Sequence, residues 1–152
     1  LSRSKLTFEF LTLDLYIKNL NMKVTLISIP VRDQEKALKF YTEKLGFIKK
    51  KDEPLGNGNR WLTLVSKEAQ DGPELLLEPG PLHFEPCKVY QDALMEAGMP
   101  YTQFDVDDVD AEYERLTNLG VEFSVKPATM GTAKYAVFND TCGNNIAIVQ
   151  VL

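Results

Sequence analysis

The chain contains one pattern twice, and this internal repeat limits the folds it can adopt. Val31-Arg-Asp33 recurs as Val106-Asp-Asp108, and Leu45-Gly46 recurs as Leu119-Gly120. The copies are 75 residues apart at the first motif and 74 apart at the second, so their order and spacing are retained with one residue lost between them. Repetition at a fixed period indicates a duplicated structural unit. We therefore expect two similar modules in tandem.

Each copy of the pattern predicts the same elements in the same order. A β-branched run from Val24 to Val31 precedes Asp33, whose side chain can accept hydrogen bonds from the free N–H groups at a helix start. Apolar residues then recur at helical spacing as far as Gly46, a glycine of the kind that ends helices, and three extended segments follow. The second copy repeats this order. The sequence thus predicts an α+β fold in which two tandem βαβββ modules form a curved mixed sheet around one cleft.

The repeat pattern divides the chain into an extension and one domain. Residues 1–21 differ from the rest and are interpreted as an N-terminal extension of uncertain origin, with an added edge strand through Leu6, Phe8 and Phe10 as the alternative. Residues 22–152 form a single domain, made of a module over 22–80, a connecting helix over 86–98 and a module over 101–151. Clusters of Pro, Gly and Asn predict turns over 54–59 and 127–132.

Charge and cysteine content exclude several classes of function. The chain has 17 Lys and Arg against 22 Asp and Glu, a net charge of −5, with no basic block, so a nucleic-acid partner is not expected. No apolar run approaches the roughly 20 residues that span a bilayer, so a membrane partner is not expected either. Cys87 and Cys142 are far apart and lack CxxC spacing, which predicts free thiols and a cytoplasmic location.

The motifs resemble those of the vicinal oxygen chelate superfamily, which includes glyoxalases, extradiol dioxygenases and bleomycin-resistance proteins. The resemblance covers about 22–150, and its more specific half is Val106-Asp-Asp108, Leu119-Gly120-Val121 and Phe138-Asn-Asp140-Thr-Cys-Gly143-Asn144. It implies the glyoxalase-type fold, and family members commonly form homodimers, so a homodimer is expected. A fold of this kind carries many chemistries, so the function must be argued from the site.

The resemblance implies four positions at which enzymes of this family hold a divalent metal. The first lies seven residues before Asp33 and holds Leu26; its counterpart holds Tyr101, and the last-strand position holds Ala147. The fourth falls within Glu74-Leu-Leu-Leu-Glu78, where either glutamate shares the inward parity. A divalent site needs several N or O donors that converge on one point. We therefore predict no metal and no other cofactor.

Two functions of different class remain open. The first is a metal-free protein that binds or sequesters an organic ligand, an antibiotic or a metabolite. The second is a lyase or dioxygenase-type enzyme that has relocated its metal ligands or uses Glu78, Tyr101 or His83 as an acid or base. Alternation along the strands predicts a largely apolar, aromatic ligand-binding cleft. Its predicted ligand-binding residues are Leu26, Ser28, Trp61, Thr63, Glu78, Tyr101, Gln103 and Ala147.

Overall fold

The computed structural model describes residues 22–152, and the predicted extension 1–21 lies outside them. The predicted α+β class with two tandem βαβββ modules is confirmed. None of the helices within 22–152 is long and apolar enough to cross a membrane. The elements in chain order are β1 (Leu26–Pro30), α1 (Gln34–Lys39, continued by a wider π-type turn over Phe40–Lys44), β2 (Ile48–Gly56), β3 (Asn59–Val65), β4 (Glu74–Glu78), α2 (Gly80–His83), α3 (Glu85–Glu96), β5 (Pro100–Asp105), α4 (Val109–Asn118), β6 (Phe123–Met130), β7 (Ala133–Asn139) and β8 (Asn145–Val151).

The two modules share one topology. The first sheet has the strand order β1-β4-β3-β2 and the second has β5-β8-β7-β6, each with one parallel and two antiparallel pairings. The predicted helix caps are confirmed, since Asp33 accepts from the Lys36 N–H at 2.9 Å and Asp108 accepts from two N–H groups of α4. Gly46 and Gly120 both have φ of +79°, a conformation that favours glycine after a helix.

Two of the predicted turns begin too early. Pro54 lies inside β2 and Pro127 lies inside β6, and the chain reverses only at Asn57-Gly58 and Gly131-Thr132. Both strands are at the edge of their sheet and carry shifts of pairing register near the proline. An edge position tolerates proline because its missing N–H is not needed by a neighbouring strand.

Each sheet has a helix-bearing face and an opposite face, which we call the inner face. The helix-bearing faces of the two sheets contribute to one continuous apolar core, because α1 also packs on the second module. Phe40 lies 6.0 Å from Phe138 between ring centroids, and Phe47 lies 5.1 Å from Phe104. The modules are thus joined through their helix-bearing sides.

A buried carboxylate lies at this joint. Asp140, which is fully buried in the turn between β7 and β8, accepts the Tyr41 hydroxyl at 3.0 Å and the Asn144 side-chain amide at 2.6 Å on Oδ2. Its Oδ1 accepts the backbone N–H groups of Cys142 and Asn144 at 2.8 and 2.9 Å. Four donors therefore satisfy a group that would be costly to bury alone.

The connecting helix α3 adds a second link to the same turn. The buried amide of Gln91 donates to Pro30 O at 2.9 Å in the first module, and to Asn144 Oδ1 at 3.0 Å in the second. Its Oε1 accepts from Arg32 Nε at 2.7 Å. Gly143 has φ of +104°, and a Cβ there would come within 2.6 Å of Arg32 Nε and Gln91 Oε1. The turn approaches this cluster so closely that only glycine fits.

Tyr41→Phe tests the strength of the joint. Removal of the hydroxyl leaves Asp140 Oδ2 with one donor fewer in a dry interior, so we expect the free energy of unfolding to fall by about 1–2 kcal/mol. Denaturant unfolding at pH 7 measures the change. Tyr113→Phe is the matched control, because the Tyr113 ring packs edge-on against Phe123 at 4.7 Å in one module alone. An equal loss in both variants would show that the hydrogen bond from Tyr41 to Asp140 stabilises the fold no more than the hydroxyl of Tyr113 does.

The same variant changes the pH dependence of stability. Burial, and then the nearby Asp140 carboxylate, raises the pKa of Tyr41 well above its ordinary value. The unfolded chain releases this proton as the pH passes about 10 while the folded chain retains it, so the stability due to Tyr41 is complete below pH 10 and is lost above it. We expect the difference in the free energy of unfolding between wild type and Tyr41→Phe to narrow as the pH rises above about 10. A difference that stays constant with pH would contradict the raised pKa of Tyr41.

Candidate inner-face site

The strand register places the predicted site residues of the first module on its inner face. Ser28 is opposite Leu76, Leu76 is opposite Thr63, and Thr63 is opposite Lys51, so these four side chains form a row across the sheet. Residues two positions along a strand point to the same face. Hence the structure brings together, on one surface, the predicted ligand-binding residues Leu26, Ser28, Trp61, Thr63 and Glu78.

The second module repeats this arrangement. Gln103 is opposite Ala147, and Ala147 is opposite Val137. Tyr101 is the extra residue at the shift of pairing register between Pro100 and Thr102, and its side chain packs against the apolar core. Tyr101 is half-buried and Ala147 is buried, whereas Gln103 is exposed and its amide lies 3.5 Å from Asp105 Oδ1. The ligand-binding role of these residues stays a prediction.

The contacts between the two modules do not involve their inner faces in residues 22–152. Within residues 22–152, no side-chain hydrogen bond, ion pair or ring contact joins one inner face to the other. Cys87 on α3 lies near Glu78 on the first inner face and near Tyr101 on β5, because the Glu78 carboxylate raises the pKa of Cys87 and Cys87 in turn raises the pKa of Tyr101. Helix α3 therefore lies close to a residue of each module.

The register identifies the fourth of the four family metal positions. Ser28 and Gln103 are equivalent in the repeat, and they face Leu76 and Ala147 respectively. Leu76 is thus the counterpart of Ala147, and neither Glu74 nor Glu78 occupies the position that the sequence left open between them. The four positions hold Leu26, Leu76, Tyr101 and Ala147.

This donor set does not fit a divalent metal ion. It offers one oxygen, the Tyr101 phenol, whose pKa is raised by burial and then by Cys87 and Tyr90. The phenol therefore stays protonated at neutral pH, and a metal would need the phenolate. In the part of the chain that the structure describes, no group of three or more His, Cys, Asp or Glu side chains converges elsewhere to hold a metal.

The remaining candidates for chemistry are one histidine and two cysteine thiols. His83 is exposed at the end of α2, and its Nε2 lies 2.7 Å from Asn59 Oδ1 at the start of β3. Burial raises the pKa of the Cys142 thiol to about 12 and raises that of Cys87 in the same direction. Both thiols are protonated at neutral pH, so neither is an activated nucleophile.

Sequence reasoning missed one polar pair on the first inner face. Lys51 Nζ lies 3.0 Å from Glu74 Oε1, and the pKa of Glu74 is lowered by the Thr63 hydroxyl first and by Lys51 second. From the sequence alone, Lys49-Lys-Lys51 predicts only an extended segment. Which lysine faces inward depends on the bulge at Lys50, which alternation alone does not predict.

A cavity of about 1030 Å³ opens on the other side of the molecule, between α4 and the segment Leu45–Phe47. Its apolar floor includes Phe104, Leu116 and Phe138, which belong to the core that joins the modules. Of the eight predicted ligand-binding residues only Gln103 borders it. The cavity therefore meets the second inner face at Gln103 and lies apart from the other predicted ligand-binding residues.

The duplicated βαβββ topology agrees with the family whose model the sequence matches. Residues 12–148 match the model of the Glyoxalase/Bleomycin resistance protein/Dioxygenase superfamily, and the chain belongs to this superfamily.

Individual relatives resemble the chain along nearly their whole length. The protein YurT of Bacillus subtilis (strain 168) is 54% identical over 129 residues, which are 85% of this chain and 99% of YurT. The crystal structure of UcmS2 superposes with a TM-score of 0.72 at 32% identity, covering 86% of this chain and 98% of UcmS2. TnmS3, an antibiotic binding protein from Streptomyces sp. CB03234, superposes with a TM-score of 0.66 at 31% identity, covering 88% and 98%.

Metal titration tests the assignment of the four positions. We expect Mn²⁺, Ni²⁺, Zn²⁺ and Fe²⁺ at tenfold molar excess to leave the melting temperature unchanged, because a ligand stabilises a protein only by binding its folded state. Elemental analysis of the purified protein should give far less than one metal per chain. Leu26→His combined with Ala147→Glu adds two donors and should introduce a metal-dependent shift. Stoichiometric metal in the wild type would contradict the assignment.

Proposed function

We propose that this protein is a metal-free binding protein that sequesters or carries an organic molecule, an antibiotic or a metabolite, on its inner faces. The observation that carries the proposal is the composition of those faces. The aromatic side chains of Trp61 and Tyr101 remain partly accessible, and the other three family positions hold the small or apolar residues Leu26, Leu76 and Ala147. Such a surface gains energy from burial of an apolar ligand, and it lacks the donors that metal-assisted catalysis requires.

The comparison with TnmS3 supports the same reading. TnmS3 is an antibiotic binding protein, and it shares 31% of its residues and the fold of this chain. The enzyme alternative finds less support in the geometry. Tyr101 is held as a neutral phenol at neutral pH, so it suits hydrogen-bond donation to a ligand better than proton abstraction.

A homodimer would bring two inner faces together. The outer edge strands β2 and β6 carry prolines, bulges and charges such as Lys49 and Lys126, devices that prevent pairing with another chain. The edges β1 and β5 lack a lysine or arginine, and Ile27 on β1 is 49% exposed. We therefore propose that β1 of one protomer lies beside β5 of its partner, with one ligand site between the first module of one copy and the second of the other.

Trp61→Ala and Tyr101→Ala test the inner face as the ligand surface. Each removes a large aromatic contact, so we expect the affinity for an aromatic ligand found in a fluorescence screen of antibiotics and metabolites to fall about tenfold or more. Quenching of Trp61, the single tryptophan, gives the readout for Tyr101→Ala, and calorimetry serves for Trp61→Ala. Tyr113→Ala on the helix-bearing side of the second module is the control. Unchanged affinity in both variants would reject this surface.

Ile27→Lys tests the dimer. A buried lysine at the β1 edge should weaken association at least tenfold in sedimentation velocity at micromolar concentration, and ligand affinity should fall in parallel because each site needs both copies. Met130→Lys is the control, since Met130 is also an exposed apolar residue and lies on the outer strand β6. A wild-type monomer, or full ligand affinity in a monomeric variant, would refute the shared site.

A further inference from the structure

The repeat relates two places where the modules meet, and the chain fills them differently. At the first, the turn between β7 and β8 packs on α1, where Lys36 Nζ donates to Thr141 O at 2.9 Å and the Tyr41 hydroxyl donates to Asp140. The repeat makes the β3–β4 connection and α4 the equivalent pair. Within residues 22–152 no hydrogen bond or ion pair joins these two, and the cavity of about 1030 Å³ lies between them. The cavity therefore occupies the place that a turn of the protein fills on the other side.

The base of this cavity is apolar. Its partly accessible side chains pack against the core that joins the modules, and they are Leu45, Phe47, Phe104 and Val106. The ring centroids of Phe47 and Phe104 are 5.1 Å apart. An apolar body placed on these rings would remove its own surface and theirs from water, which favours binding. The volume of about 1030 Å³ suits a drug-sized molecule, since small-molecule sites commonly enclose roughly 300–1,000 Å³.

The mouth of the cavity carries an excess of negative charge. Five carboxylates line the cavity, against the two cations Lys67 and Arg115. Both oxygens of Glu112 accept from Arg115, at 2.6 and 2.8 Å, so this pair is neutral, and Asp108 caps α4. The other three carboxylates are exposed and have no ion pair in the described part of the chain; they are Glu68, Asp105 and Asp107. A cation at this mouth is attracted and an anion is repelled.

We propose that this cavity is a second binding site, apart from Trp61 and the four family positions, for an amphiphilic organic cation, an aromatic or alicyclic body with one ammonium group. The body lies against Phe47 and Phe104, and the ammonium lies beside the carboxylates of the mouth. The face of an aromatic ring also attracts a cation, so the base does not oppose the charge. The apolar base and the acidic mouth together select this class of ligand. The site is built by one chain, so it goes beyond the proposed function and needs no dimer.

Three naphthalenes that differ in one substituent test the preference for a cation. 2-Naphthylmethylamine is a cation at neutral pH, 2-naphthalenemethanol is neutral and 2-naphthoate is an anion. In calorimetry on the full chain at low salt, we expect the amine to bind about tenfold more tightly than the alcohol, and the naphthoate to bind least. Salt at about 0.5 M should narrow the ratio of amine to alcohol affinity, because it screens exposed charges.

Charge-neutralising variants assign this preference to the mouth. Asp105→Asn combined with Asp107→Asn should bring the ratio of amine to alcohol affinity towards one while the alcohol binds as before. Glu114→Gln combined with Glu122→Gln is the matched control, since it removes the same charge from exposed carboxylates that do not line the cavity. The control should keep the wild-type ratio.

A variant that fills the cavity tests the place. Ala111 is exposed on α4 and lines the cavity, so Ala111→Phe puts a ring into it without replacing a buried side chain. We expect this variant to keep the melting temperature and to bind the amine and the alcohol about tenfold more weakly. Thr117→Phe, at an exposed position of α4 outside the cavity, should bind both as wild type does, and so should Trp61→Ala.

Four results would overturn the cavity site. They are no measurable binding of the amine, equal affinity of wild type for the amine and the naphthoate, an Ala111→Phe variant that binds the amine as wild type does, and loss of amine binding in Trp61→Ala but not in Ala111→Phe. The last result would place the amine on the first inner face, so it would support the proposed function while it removes the second site.

Discussion

The buried Asp140 carboxylate is the interaction on which the arrangement of the two modules depends. It belongs to the last turn of the second module, yet one of its four donors is the Tyr41 hydroxyl from the first helix of the first module. A buried charge is tolerated only when its lone pairs are satisfied, so the turn must lie where Tyr41 can reach it. Gln91 holds the connecting helix to the same turn. Together these contacts fix the helix-bearing sides against each other and direct the inner faces away from the joint.

Much of this fold follows from local rules that the sequence displays directly. Asp33 and Asp108 predict helix starts because a carboxylate satisfies free N–H groups, and Gly46 and Gly120 predict helix ends because they adopt positive φ. The turns predicted over 54–59 and 127–132 are wrong at their start, because Pro54 and Pro127 lie inside strands. Proline ends a strand only where its neighbour needs the missing N–H, and whether a strand lies at an edge is a property of the whole sheet.

Prediction of the candidate site from sequence is also limited by strand pairing. Alternation placed Trp61 and Thr63 on the face of Ser28 correctly, because β3 is regular. It could not choose between Glu74 and Glu78 for the fourth family position, and the answer was Leu76, which only the pairing of β1 with β4 identifies. Lys51 reaches Glu74 because the bulge in β2 turns its side chain to the inner face, and the sequence does not predict this bulge. Contacts between strands distant in sequence carry information that no single segment contains.

The order in which the chain is synthesised gives the Asp140 turn another consequence. Phe40 and Tyr41 are made early, but the groups they pack against and bond to, Phe138 and Asp140, come about a hundred residues later. Until the ribosome has released the last two strands, the first module has an unfilled apolar surface and a phenol without its acceptor. The two halves therefore complete their shared core only once the last turn has been synthesised.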